Sequence, residues 1–114
     1  MNDKIKQGYL YDFYGELLNV HQQTIYEDFV LNDLSLGEIA MERGISRQAV
    51  HDNIRRTTNA LQGYEDKLHL IEKFISIRKK VEEIDLLVQK SSSEKVEDVL
   101  TAISDISNQI LEEL

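Results

Sequence analysis

The chain contains no proline and only five glycines among its 114 residues, so few positions force a turn. Proline breaks helices and glycine weakens them, and a chain with so little of either favours long helices. Apolar residues make up 41% of the composition and charged residues 30%, which argues against a disordered chain and allows a buried core. We therefore predict an all-α protein.

Several classes of function are disfavoured by composition alone. There is no cysteine, which excludes a disulfide scaffold, a thiol nucleophile and a cysteine-based metal centre. The three histidines lie far apart and form no metal-binding pattern, and no nucleophile–base pair stands out. We predict no catalytic residues, no metal and no cofactor, and hence a protein that is not an enzyme.

The chain is also expected to lie outside the membrane. No apolar run approaches the roughly 18 residues that a spanning helix needs. The first residues, MNDKIKQGYLYDFYG, lack the apolar core and cleavage site of a secretory signal. We predict a cytoplasmic protein without membrane insertion.

Charge is distributed unevenly along the chain, whose net charge is −8. Residues 1–46 hold three basic and eight acidic groups, and residues 91–114 hold one and six, so each segment carries −5. Residues 47–63 hold three basic groups and one acidic group, a net charge of +2. An acidic protein with one mildly basic segment binds polyanions poorly overall, so any contact with nucleic acid must be local.

Capping residues mark three helix starts between residues 19 and 46. Asn19 with Gln22, and Ser35 with Glu38, have the spacing of a capping box, and Ser46 is a third N-cap. They predict helices to about residue 31, over residues 36–43, and from residue 47, after a first helix over about residues 3–18. The side chains expected to face the core from the first two helices are Leu10, Phe13, Tyr14, Leu17, Leu18, Val20, Ile25 and Phe29, with Tyr26 as a further candidate.

Residues 34–61 have the pattern of a helix-turn-helix. Ala40 is small enough for two helices to cross closely, Gly44 suits the left-handed position of the turn, and Ile45 can pin the corner. Val50 and Ile54 form the stripe that the second helix would bury.

The outer side of that second helix is the predicted site. Arginine and glutamine pair with guanine and adenine edges, and a helix N-terminus can hold a phosphate. Arg43 also lies nearby, whereas Arg55 and Arg56 could instead pair with the neighbouring acid Asp52. The residues expected to contact DNA are Ser46, Arg47, Gln48, His51, Asp52, Arg55 and Arg56.

Beyond Gly63 the spacing of apolar residues changes to that of a coiled coil. Two apolar series with coiled-coil spacing are separated by three serines. They predict most simply an antiparallel helical hairpin, and pairing between two chains is the competing solution that the sequence does not exclude. We predict a helix-turn-helix domain over residues 1–63 and a helical arm over residues 64–114. The helix that begins at residue 47 either ends at Gly63 or continues to about Gln89. The two series are Leu70, Phe74, Ile77, Val81, Ile84 and Val88, then Val96, Val99, Ile103, Ile106 and Ile110.

The segment SLGEIAMERGISRQAVHDNIRRT, followed by YEDKLHL at residues 64–70, resembles the YlxM family of small bacterial helix-turn-helix proteins. These proteins are similar to the promoter-reading region 4 of sigma factors. The resemblance covers residues 10–70 and is most specific from ISRQAV to YEDKL. His51 departs from the aromatic residue expected at its position.

The resemblance implies a non-enzymatic DNA-binding regulator, with an expected role in the signal recognition particle pathway. Apart from the resemblance, the low positive charge favours pairing of the C-terminal helices, which would join two copies into a homodimer and so supply a second reading helix. The alternative is a protein-interaction module that docks on a ribonucleoprotein of the signal recognition particle type, or on a GTPase, without reading DNA.

Overall fold

The computed structural model describes residues 2–114. Within that range the chain is helical and contains no strand, which confirms the all-α prediction and the helix-turn-helix. The helices are α1 (Asp3–Tyr14), α2 (Val20–Val30), α3 (Leu36–Arg43), α4 (Arg47–Leu68), α5 (Leu70–Lys90) and α6 (Val96–Glu113), with a 3-10 turn over Gly15–Leu17 between the first two.

The three predicted N-caps are all present. The side chain of Asn19 accepts a hydrogen bond from the Gln22 N–H at 2.8 Å, and that of Ser35 accepts one from the Glu38 N–H at 3.1 Å. Both are complete capping boxes, because the glutamine and glutamate side chains also accept the N–H of their cap residues. These local hydrogen bonds explain why α2 and α3 begin where the sequence predicts.

The first helix ends earlier than predicted. A 3-10 turn replaces its last turn at Gly15, where an added Cβ would lie 2.8 Å from the ring of Tyr11. The tighter winding turns Leu17 out to 56% exposure, and Val20 is 73% exposed at the start of α2. The prediction that these two side chains join the core was wrong.

The core of the N-terminal unit is built around α4, which packs against α1, α2 and α3. Tyr26 is fully buried, and its hydroxyl lies 2.7 Å from that of Thr58 on α4. By its contacts the chain divides into two compact units, residues 1–71 and 72–114. The most deeply buried side chains of the first unit are Leu10, Tyr14, Ile25, Tyr26, Ile39, Val50, Thr57 and Leu61.

Helix α4 runs through Gly63 and ends at Leu68, between the two alternatives that the sequence left open. His69 follows in the left-handed conformation with φ 56°, and α5 begins directly after it. Glu65 accepts the backbone N–H of Ile71 at 3.0 Å and thus satisfies a donor in the first turn of α5.

The C-terminal unit contains α5 from residue 72 together with α6. Both Ser76 and Lys80, in the first half of α5, hydrogen-bond Glu113 at the end of α6. The two helices are therefore antiparallel neighbours within one chain, which is the hairpin alternative. The Lys80 ammonium and the Ser76 hydroxyl hold the pKa of Glu113 below its ordinary value.

Candidate nucleic-acid interface

The turn between α3 and α4 sets the direction of α4. Gly44 adopts the left-handed conformation with φ 65°, and the N–H groups of Gly44 and Ile45 both bond to the carbonyl of Ala40. The hydroxyl of Ser46 then accepts the N–H of Ala49 at 3.0 Å. Ser46 is exposed, and its hydroxyl hydrogen stays available to a phosphate although its oxygen caps the helix.

One side of α4 is buried and the other faces solvent. The apolar side chains of Val50, Ile54 and Leu61 point into the core. Because they repeat at helical spacing, the residues between them are turned outward. Of the seven residues predicted to contact DNA, Ser46, Arg47, Gln48, His51, Arg55 and Arg56 are exposed and Asp52 is half-buried.

Asp52 is engaged by residues on its N-terminal side. It accepts a hydrogen bond from the Gln48 amide at 3.1 Å, and the Nδ1 atom of His51 lies 3.6 Å from the same carboxylate oxygen. Arg55 and Arg56 make no ion pair with it, so the pairing considered from the sequence does not form. Asp52 thus orients Gln48 rather than neutralising the arginines.

Three arginines on α4 have no acidic partner in the part of the chain that the structure describes. Within residues 2–114 neither Arg47, Arg55 nor Arg56 forms an ion pair. Arg43, which the sequence groups with them, instead binds Asp28 on α2 at 2.7 Å. Its guanidinium holds the pKa of Asp28 below the ordinary value. Arg43 therefore ties α3 to α2, and of these four arginines only the three on α4 lack an acidic partner within residues 2–114.

Grooves lie on both sides of the exposed face of α4. On one side His51 and Arg55 border a groove of about 320 Å³ with an apolar floor that includes Phe29 and Leu36. On the other side Arg56 borders a groove of about 380 Å³ whose far wall is the first turn of α2. That wall contains His21 and Gln22, which the sequence did not associate with the site. Their position depends on how α2 packs against α4, and no local pattern signals it.

The half-buried Asn53, next to Asp52, was also missed. Its Oδ1 atom is buried and has no hydrogen-bond partner within residues 2–114. Elsewhere in this range no group of histidine and acidic side chains has the arrangement of a metal site. None of the helices described for residues 2–114 is long and apolar enough to cross a membrane.

The left-handed turn, the capped second helix and its buried apolar stripe define a helix-turn-helix protein. The model of the family UPF0122, described as "Putative helix-turn-helix protein, YlxM / p13 like", matches residues 1–103. The chain belongs to this family, which confirms the resemblance noted from its sequence.

Individual relatives agree with that assignment. A UPF0122 protein of Shouchella clausii is 51% identical over 85 residues, which cover 74% of this chain and 78% of the relative. UPF0122 proteins of Bacillus thuringiensis and Bacillus mycoides are each 43% identical over 100 residues, which cover 86% of this chain and 91% of either relative.

Proposed function

We propose that this protein is a non-enzymatic regulator that binds duplex DNA through the exposed face of α4. The observation that carries the proposal is the set of three unpaired arginines, Arg47, Arg55 and Arg56, on the second helix of a helix-turn-helix. Arginine that is not held by an acid on its own chain is available to phosphate oxygens and to guanine edges.

The seven residues of this face have different proposed roles. Arg55 and Arg56 contact phosphates and so position the helix on the duplex. Arg47 and Gln48, at the start of α4, read base edges in the major groove, where the first residues of such a helix meet the bases. Ser46 donates to a phosphate, and Asp52 holds Gln48 until a base replaces it. His51 borders the apolar groove and contacts the backbone at that side.

The electrostatic attraction is modest, because the net charge of the chain is −8. The two arginine–phosphate contacts, made by Arg55 and Arg56, correspond to a slope of about −2 in a plot of log K against log salt concentration. One copy would bind weakly at cytoplasmic salt, and we propose that the functional form is a homodimer with two reading helices.

The test is a titration of labelled random duplex DNA at several salt concentrations. Arg55→Ala/Arg56→Ala is expected to weaken binding and to make the slope shallower by about 2. Lys79→Ala/Lys90→Ala removes the same charge from exposed positions of α5 and should leave the slope unchanged. Equal effects of both variants, or no binding at low salt, would contradict the proposal.

Sequence reading is tested separately by selecting preferred duplexes from a random pool. Arg47→Ala/Gln48→Ala is expected to abolish the preference while retaining most of the salt-dependent affinity, because phosphate contacts remain. An unchanged preference would show that base edges are read elsewhere.

A protein-interaction role is the second candidate, and the charge of α6 favours it. This helix has five acidic residues and no basic one, which suits a basic partner such as a component of the signal recognition particle. Binding to such a partner that Arg47→Ala/Gln48→Ala leaves intact, together with absent DNA binding, would favour this candidate. The resemblance to YlxM proteins favours that particle among basic assemblies.

A further inference from the structure

The C-terminal unit, residues 72–114, has almost no core of its own. Val99, at 3% exposure, is the one buried side chain in these 43 residues. Units of about 40 residues usually need a disulfide, a metal or oligomerisation to be stable. The chain has no cysteine, and residues 2–114 contain no candidate metal cluster. Association with another surface is the remaining source of stability.

Most apolar side chains of this unit fall into two stripes on each helix, and Ile75 and Leu86 of α5 lie outside them. On α5 the inner stripe contains the half-buried Ile77 and Ile84, whereas Val81 and Val88 are each 53% exposed. At 3.6 residues per turn, the exposed pair lies about 40° around the helix from Ile77 and Ile84. The seven-residue step between Val81 and Val88 is a coiled-coil repeat.

Helix α6 repeats this arrangement. Its inner stripe is centred on Val99 and Ile106, and an exposed stripe lies about a quarter turn away in the same rotational sense. Leu100 and Leu111 in that stripe are 60% and 65% exposed. The exposed stripe of α6 consists of Val96, Leu100, Leu111 and Leu114.

The two exposed stripes lie on the same side of the hairpin. Glu113 contacts Ser76 and Lys80, so α5 and α6 are antiparallel. The two helices face each other through their inner stripes. Because the helices are antiparallel, exposed stripes that are rotated away from the inner stripes in the same sense along each chain lie on the same side of the helix pair, which is one of its two broad faces. The opposite broad face is mainly polar, although Leu86 of α5 lies on it at 54% exposure. It contains Lys79, Glu83, Asp98, Asp105 and Glu112, all of them exposed.

We infer that this apolar face, formed by Val81 and Val88 of α5 with Val96, Leu100, Leu111 and Leu114 of α6, pairs with the same face of a second copy. The product is a four-helix bundle, which is how amphipathic helical layers bury one face. This inference deepens the proposed homodimer by naming the surface that joins the two copies.

Charge favours a second copy as the occupant. Helix α5 carries five basic and four acidic residues, whereas α6 carries five acidic residues and no basic one. A two-fold axis parallel to the helices places each α5 opposite the α6 of the other copy, and every neighbouring pair is then antiparallel. Opposite net charges face each other in this arrangement, so the surface is complementary to itself.

The size of the face also fits a dimer. The 18 residues of α6 span about 27 Å, and two packed helices are roughly 20 Å wide, so the face covers roughly 500 Å² in projection. This is the scale of a specific interface, which buries about 800 Å² of accessible surface per partner.

The test is sedimentation equilibrium of the full chain and two variants at micromolar concentration. Val81→Lys/Leu100→Lys adds two positive charges to the apolar face, and Glu83→Gln/Asp105→Asn changes the charge equally on the polar face. We expect dimers for the unmodified chain and the polar-face variant, and a mass halved to that of a monomer for the apolar-face variant. Circular dichroism at 222 nm checks that the helix content of each variant does not fall below that of the N-terminal helices.

Three outcomes would overturn the inference: a monomeric full chain, a dimer that survives Val81→Lys/Leu100→Lys, or a dimer lost equally in both variants. If the apolar-face variant loses its helicity, the milder variant Leu100→Asn replaces it, and its mass is compared with that of the polar-face variant. DNA binding is measured separately, so that a dimer without DNA affinity would contradict the proposed function and leave this interface standing.

Discussion

The hydroxyl of Tyr14 donates a hydrogen bond of 2.5 Å to the Oε1 atom of Glu65, although the two residues are 51 positions apart. The same hydroxyl oxygen accepts the backbone N–H of Leu70 at 3.2 Å, and the same carboxylate oxygen accepts that of Ile71. One buried tyrosine thus connects α1 to the last turn of α4 and to the first residues of α5. This connection stabilises the left-handed turn at His69.

We expect Tyr14→Phe to lower the free energy of unfolding by about 2 kcal/mol, because a buried hydrogen bond to a carboxylate is lost. Chemical denaturation at neutral pH measures the change. Tyr64→Phe is the matched control, since the hydroxyl of Tyr64 has no hydrogen bond within residues 2–114 and its loss should cost less than about 0.5 kcal/mol. Equal losses in the two variants would contradict the role given to Tyr14.

Two glycine substitutions should change stability in opposite directions. Gly44→Ala forces a Cβ into the left-handed conformation and should destabilise the fold by roughly 1–2 kcal/mol. Gly63→Ala lies within α4, where an added Cβ meets nothing within 4 Å, and should stabilise it by about 0.5–1 kcal/mol. Thermal unfolding compares both with the unmodified chain. Destabilisation by Gly63→Ala would mean that α4 does not continue through this position.

The ion pair between Asp28 and Arg43 should make stability depend on acid pH. Because Arg43 depresses the pKa of Asp28 in the folded state, the pair stabilises the fold above the unfolded pKa, and this contribution is lost as pH falls through the folded value. We expect Asp28→Asn to cost roughly 1 kcal/mol at pH 7 and progressively less below about pH 4. Urea titrations across this range measure it, and a cost independent of pH would exclude the ion pair as its cause.

Tyr11 should make stability depend on alkaline pH. Burial, followed by the hydrogen bond that it donates to Glu27, raises the pKa of Tyr11 to about 12. An unfolded tyrosine loses its proton near pH 10, so the folded chain holds the extra proton between these values and stability falls as pH rises. Tyr11→Phe should make the decline between pH 10 and 12 shallower, as followed by unfolding and by tyrosinate absorbance. An identical decline in the variant would contradict this assignment.

The sequence indicated which residues form the candidate site, but not which of their charges are paired with other side chains of the chain. Val50 and Ile54 are buried at helical spacing, and this spacing is visible in the sequence. It places Arg47, Arg55 and Arg56 on the exposed side of α4. The pairing of Arg43 could not be read in the same way, because Asp28 lies 15 residues away on another helix. Which arginines stay unpaired therefore depended on the packing of α2 against α3.

The C-terminal hairpin illustrates the same limit. The apolar spacing of residues 70–88 predicts a helix with an apolar side, and α5 is that helix. Spacing alone could not divide this side between half-buried residues, such as Ile84, and exposed residues, such as Val81. The division follows from the rotation of α5 against α6, which the pattern of one helix does not contain.

The sequence by itself determined the helix starts at Asn19, Ser35 and Ser46 and the turn at Gly44. Each of these depends on backbone conformation or on hydrogen bonds between residues three to five positions apart. Only the tertiary structure decided that α4 passes Gly63 and stops at His69. The contacts at that turn bring together Tyr14 and Leu70, 56 positions apart, and an interaction between distant residues exists only once the helices have packed.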